Sequence, residues 1–193
     1  MSSDINILKR LIIKNVLVPV SKNNYDKYFL VLNDYGRSSS YHIKIVNLPE
    51  ETIAIKTDRF PFTKKIFRCN NGECKMADYV VISNDLDQKW IIYIELKLGS
   101  NGKPKQIIQQ LEGSKCFIHY CREVGKTFLH EPEFLDPTNY QERYISVKNI
   151  GVAKRSSNIL TKPGVHDHAS NMLRISAPPP KGIRFEQLIN IDG

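Results

Sequence analysis

Long apolar runs are missing from this 193-residue chain. None approaches the roughly 18 residues of a membrane span. The N-terminal stretch Met1 to Val20 mixes Asp4, Lys9, Arg10 and Lys14 among its apolar residues, unlike a signal peptide. The expectation is a cytoplasmic protein. A glycine-rich phosphate loop is absent too, which argues against ATP-driven work within the chain. Cysteine is scarce, with four residues and no export signal, so thiols are expected rather than disulfides. The pairs Cys69/Cys74 and Cys116/Cys121 would suffice in number for zinc. The second pair, however, falls in a predicted helix, where a five-residue offset separates the side chains onto different faces. Small buried hydrophobes are the expected role. No internal repeat or low-complexity linker divides the chain. Acidic residues are also in deficit: twenty against twenty-eight Lys and Arg leave a net charge of +8.

That charge calls for an anionic partner. No basic amphipathic helix stands out, so a nucleic acid fits better than a membrane surface. With 41% hydrophobic and 25% charged residues, the composition is that of one globular domain spanning residues 1–193. At this length about 70% of the unfolded surface can be buried without staples.

The spacing of Ile5, Leu8, Leu11, Ile12 and Val16 predicts a helix over 4–17, ended by Pro19. Tyr28 to Leu32 and Tyr41 to Val46 are predicted strands around a polar turn, and a short helix is expected near Pro49-Glu50-Glu51. Asn71-Gly72 is a strong hairpin signal, which would set Cys69 opposite Cys74 and start a strand at Lys75. That strand runs through Asp78 into Tyr79-Val80-Val81-Ile82, then turns at Asn84 to Gln88. The next, Trp90 to Lys97, is too uniformly apolar to be other than a central strand. Lys105 to about Arg122 is predicted as an amphipathic helix, with Pro104 in its first turn. Strands at Tyr144 to Val152 and Met172 to Ala177 follow, then Ile183 to Ile191.

Glu95 and Lys97 interrupt the end of the central strand. With Tyr93 they project from one face. If Asn84 pairs with Lys89, then Ile82 faces Ile91, Val80 faces Tyr93 and Asp78 falls opposite Glu95. Two like charges at a Cβ separation of about 5 Å destabilise a sheet. Lys97 offsets part of the repulsion, a raised carboxyl pKa offsets more, and a divalent cation offsets most. Oxygen-only ligands suit Mg²⁺ or Mn²⁺ rather than Zn²⁺.

Asp78, an apolar strand, and Glu95-Leu96-Lys97 at the end of the next resemble the PD-(D/E)XK nuclease superfamily. The glycine, polar loop and helix with Gln109-Gln110-Leu111 that follow are similar to its RecB-like and junction-resolvase-like branches. The resemblance implies an α/β, restriction-endonuclease-like αβββαβ core, its mixed central sheet flanked by helices. That core would occupy about residues 50–150, with N-terminal and C-terminal elaborations. It further implies metal ligation by Asp78, Glu95 and the Leu96 carbonyl, catalytic assistance by Lys97, and support from Gln110. Glu50 or Glu51 is a weaker match for a glutamate contributed from a preceding helix. Ala77 stands where the family name implies proline, which removes no ligand. The implied activity is Mg²⁺- or Mn²⁺-dependent hydrolysis of nucleic acid, DNA foremost. A homodimer or a partner protein is compatible with it.

A second Glu-x-Lys, Glu73-Cys74-Lys75, sits beside a turn and is expected to be solvated. The alternative to catalysis is a salt-bridged strand end in a non-catalytic nucleic-acid-binding or partner subunit. For phosphate contact the candidates are Lys65, Arg68, Lys103, Lys105, Lys154 and Arg155. From Arg143 onward eight basic residues meet three acidic ones, making the C-terminal third the better nucleic-acid surface. His166-Asp167-His168 is expected in a plain loop, and His119 on a helix surface.

Overall fold

A computed structural model describes residues 3–35, 40–60, 66–84, 88–98, 103–149, 159–160, 165–176 and 182–189. Helix α1 (Asp4–Leu11) starts at Ser3, whose side chain accepts from the Asn6 N–H. It stops short of the predicted end because Ile12 turns extended, and strand β1 (Leu17–Val18) follows a single 3₁₀ turn. Strands β2 (Val20–Lys22), β3 (Tyr28–Tyr35) and β4 (Ser40–Leu48) come next. The helix expected near Glu50 is instead strand β5 (Glu51–Lys56). Its Thr52, Ile53 and Ile55 favour extended backbone, and Thr52 to Ile55 are all buried, as in a strand covered on both faces.

Strands β6 (Tyr79–Asn84) and β7 (Lys89–Leu98), helix α2 (Pro104–Phe128) and strand β8 (Tyr140–Asn149) complete the centre. Short strands β9 (Ile159–Leu160), β10 (Leu173–Ser176) and β11 (Ile183–Arg184) precede helix α3 (Phe185–Ile189). Among the described residues, one sheet runs β1-β5-β6-β7-β8-β10-β9 and a second runs β11-β4-β3-β2. Pairing is antiparallel across β5, β6 and β7 and parallel between β7 and β8, so the larger sheet is mixed. The parallel step needs a crossover, which α2 supplies.

Both faces of the larger sheet are covered. Val80, Ile82, Ile91 and Tyr93 pack under α1 and α2, against Leu8, Leu111 and Ile118. On the other face Val81, Ile92, Ile94, Ile145 and Val147 pack against Leu30, Leu32, Ile43 and Ile45 of the smaller sheet and Leu188 of α3. The unbroken apolar run of β7 follows from this double burial. No helix among the described residues is long and apolar enough to cross a membrane.

The Asn71-Gly72 hairpin does not form. Residues 66–78 are a loop, and Cys69 and Cys74, expected as thiols, are joined in a disulfide with Cα atoms 5.1 Å apart. Gly72 has φ +101° but Asn71 is not left-handed, so the type I′ geometry is not met. The Glu73 carboxylate accepts instead from the Asn70 and Asn71 N–H groups at 3.2 and 2.7 Å, removing them from any ladder. Cys116 and Cys121 remain thiols, one exposed and one buried.

Candidate active site

The pairing of β6 with β7 has the expected register, Asn84 with Lys89, Ile82 with Ile91 and Tyr79 with Ile94. One step further Asp78 meets Glu95, and each carboxylate grips the other's backbone. The Asp78 N–H donates to Glu95 Oε2 at 3.2 Å, and the Leu96 N–H donates to Asp78 Oδ2 at 2.7 Å. Each acid thus keeps one oxygen, Oδ1 or Oε1, outside this clamp. Glu95 is fully buried, and Lys97 is ion-paired to its Oε1 without a hydrogen-bond donor aligned on that oxygen.

Helix α2 holds the segment before Asp78. An added Cβ at Gly113 would overlap the Lys75 carbonyl oxygen, so only glycine allows this approach. One residue on, Ser114 Oγ accepts from the Ala77 N–H at 2.9 Å and lies 3.2 Å from Thr57 Oγ1, which donates to the Ala77 carbonyl at 2.6 Å. The Thr57 N–H donates to the Asp78 carbonyl at 2.9 Å. Both backbone neighbours of the Asp78 side chain are therefore fixed by buried polar groups on two elements. Gln110 Nε2 reaches the Met76 carbonyl at 3.4 Å, and Gln109 bridges the Asn71 carbonyl at 2.8 Å and the Lys75 ammonium at 2.6 Å.

Burial dominates the electrostatics. It pushes the Asp78 carboxyl up to about 6, with Asp34 and Asp58 adding to the rise against the Leu96 N–H and the Lys97 ammonium. Burial and then the Asp78 charge push Glu95 up to about 8, more than Lys97 offsets. At neutral pH the pair therefore shares a proton, as expected for like charges in one dry site.

The structure brings together Asp78, Glu95, Leu96 and Lys97, with Gln110 bracing from behind rather than touching the acids. Glu50 and Glu51 lie elsewhere. Glu51 pairs with Asn84 at the far end of β5, and Glu50 accepts from the Tyr28 hydroxyl at 2.6 Å. Arg68 is exposed in the disulfide loop, and Lys103 and Lys105 are exposed where α2 begins. Lys65, Lys154 and Arg155 lie outside the described residues. Arg143, counted with the basic C-terminal third, is buried, bonded to Ile189 and Gln141 and stacked over Trp90, so it presents no nucleic-acid surface.

Sequence reasoning missed three contributors. The parallel register sets Ser146 beside Glu95 and Lys148 beside Lys97 on the same face, a pairing that a crossover conceals from local pattern. Asp58 acts through its charge from the 3₁₀ turn after β5. Among the described residues no set of three or more His, Cys, Asp or Glu converges as a ready-made metal cage. Two carboxylates with an open oxygen each, completed by water, are still the donor set that Mg²⁺ commonly accepts. No protein-family model, curated protein or solved structure matches this chain.

Proposed function

We propose that this protein is a Mg²⁺- or Mn²⁺-dependent nuclease that hydrolyses phosphodiester bonds of nucleic acid, DNA foremost. The observation that carries the reading is the buried, mutually clamped pair Asp78 and Glu95 with Lys97 at its mouth. Two acids pressed together out of water, with raised pKa values, form the kind of site that a divalent cation relieves. The orphaned Glu95 Oε1 gives such an ion a hard oxygen ligand, and Asp78 Oδ1 gives it another.

Asp78 and Glu95 would hold the ion, with the Leu96 carbonyl a further ligand by family resemblance. A bound divalent ion supplies Lewis acidity and a water acidified toward neutrality. The residues of the chain do the rest. Lys97 and Lys148 place positive charge beside the acids, where a phosphodiester oxygen gains charge as the bond breaks. Ser114, Thr57 and Gln110 keep the Asp78 backbone from shifting. The order α1, β5, β6, β7, α2, β8 supports the finer fold reading, a restriction-endonuclease-like αβββαβ core of the PD-(D/E)XK type. Exposed Arg68, Lys103 and Lys105 are proposed phosphate contacts.

The test is cleavage of double-stranded DNA, single-stranded DNA and RNA with Mg²⁺ or Mn²⁺, against EDTA. Metal-dependent cutting that Glu95→Ala and Lys97→Ala abolish without unfolding is the expected result. Binding without turnover, or wild-type cutting by the Asp78→Ala, Glu95→Ala double variant, refutes the reading.

A further inference from the structure

Arg122, on the inner face of α2, is only 7% exposed, yet its one hydrogen bond is from Nε to the Leu135 carbonyl at 2.6 Å. Among the described residues no acceptor meets its two terminal amino groups, and no carboxylate pairs with it. Arg143 shows how the same fold treats a guanidinium when it is only structural. Arg143 is 6% exposed, and all three of its nitrogens donate, to the Ile189 carbonyl, the Glu142 carbonyl and Gln141 Oε1. A buried charge without such partners is costly, typically several kcal/mol. Arg122 carries this cost without a compensating group in the chain.

Its free end lines a pocket of about 290 Å³ with Lys115, His119, Tyr140, Glu142 and Asp167. Lys115, His119 and Arg122 recur at i, i+4 and i+7, one stripe of the helix. Glu142 is already saturated, accepting from Lys115 at 2.7 Å, Tyr93 at 2.9 Å and Tyr144 at 3.0 Å, so it offers Arg122 nothing. Asp167 sits on the rim, half exposed, 3.6 Å from His168. The uncompensated charge inside the pocket is therefore positive, and it belongs to a residue whose fork suits two oxygens of one anion.

We propose that this pocket binds a small phosphate group, held by the two terminal amino groups of Arg122 with His119 as a further donor. The site is separate from the carboxylates. Ile91, which also lines it, is four residues before Glu95 on β7, about 13 Å away at strand rise. The volume admits inorganic phosphate or a small phosphate monoester, and the rim Asp167 disfavours a longer polyanion. The proposal does not depend on nuclease activity.

The full chain is titrated with inorganic phosphate, ribose 5-phosphate and acetate at ionic strength matched with chloride. The readouts are thermal stability and the His119 imidazole resonance, assigned with His119→Gln. His119 is held below its ordinary pKa by burial and by Arg122 and Lys115, against Glu142 and Glu123, so a bound anion raises it. Expected is saturable binding with a dissociation constant on the order of 1 mM, a melting temperature raised by several degrees, and at least tenfold weaker binding in Arg122→Gln. That variant keeps a donor for Leu135 while removing the charge. Lys97→Met, in the other site, binds phosphate unchanged. Tighter binding of ribose 5-phosphate identifies a monoester as the ligand; equal or weaker binding identifies the free ion. A non-saturating response equal to chloride, acetate binding as well as phosphate, or undiminished binding by Arg122→Gln overturns the proposal. The wild-type melting data decide the matter even where Arg122→Gln does not fold.

Discussion

Replacing Glu95 with glutamine tests the electrostatics of the acid pair without touching its shape. The amide keeps an oxygen for the Asp78 N–H but cannot ionise. In the wild-type protein without metal, burial and the Asp78 charge lift the Glu95 carboxyl from 4.5 to about 8. Between those values the folded chain holds a proton that the unfolded chain has lost. The folded state thus binds more protons, and its stability must fall as pH rises from about 4.5 to 8, then level off. At 1.36 kcal/mol for each tenfold change, the full loss is on the order of 5 kcal/mol, a large part of a typical domain's 5 to 15. Asp78, lifted to about 6, adds a smaller loss at lower pH. Urea unfolding in EDTA at intervals from pH 5 to pH 9 reads this directly. Glu95→Gln should match the wild type within about 1 kcal/mol at pH 5 and exceed it by a few at pH 9. Parallel stability curves for the two proteins across that range would refute the assignment of a raised carboxyl to Glu95.

Three further outcomes follow from the same geometry. Mn²⁺ or Mg²⁺ must displace the shared proton, so the metal-induced rise in melting temperature should grow from pH 6 to pH 8 with proton release seen by calorimetry; a rise independent of pH speaks against ligation by the pair. Gly113→Ala should cost about 3 kcal/mol or more, because a methyl group cannot share space with the Lys75 carbonyl; denaturant unfolding near the wild-type midpoint would show that the helix does not sit this close. Lys97→Met should lower cleavage at least about a hundredfold while metal-induced stabilisation persists; retained activity would reduce Lys97 to a counterion.

The β6–β7 register was legible because alternation and a short turn determine it locally, and Asp78 opposite Glu95 follows by counting. The crossover helix was legible too, from Pro104 and the spacing of Ile107, Leu111 and Ile118. Other features depended on tertiary partners. Glu51 to Lys56 has the acidic start of a helix but is buried on both faces, and burial decided for a strand. Asn71-Gly72 had the strongest local turn chemistry in the chain, and it was overridden by the Glu73 carboxylate, the disulfide and the docking of Gly113. Ser146 and Lys148 reach the site only through parallel pairing across α2. Arg122 had no local signal at all, since it is the absence of a partner that distinguishes it.

The clamp between Asp78 and Glu95 joins residues only 17 apart, so a local hairpin can bring the acids together early in folding. What makes them costly comes later. Their desolvation waits for α2 to seat Gly113 and Ser114 on the strand entry, and for β8 to pair with β7 beyond that helix. Until then both carboxyls are hydrated and titrate as ordinary acids. The proton is therefore taken up at the docking step, which makes helix docking the point in the folding pathway where ambient pH is felt.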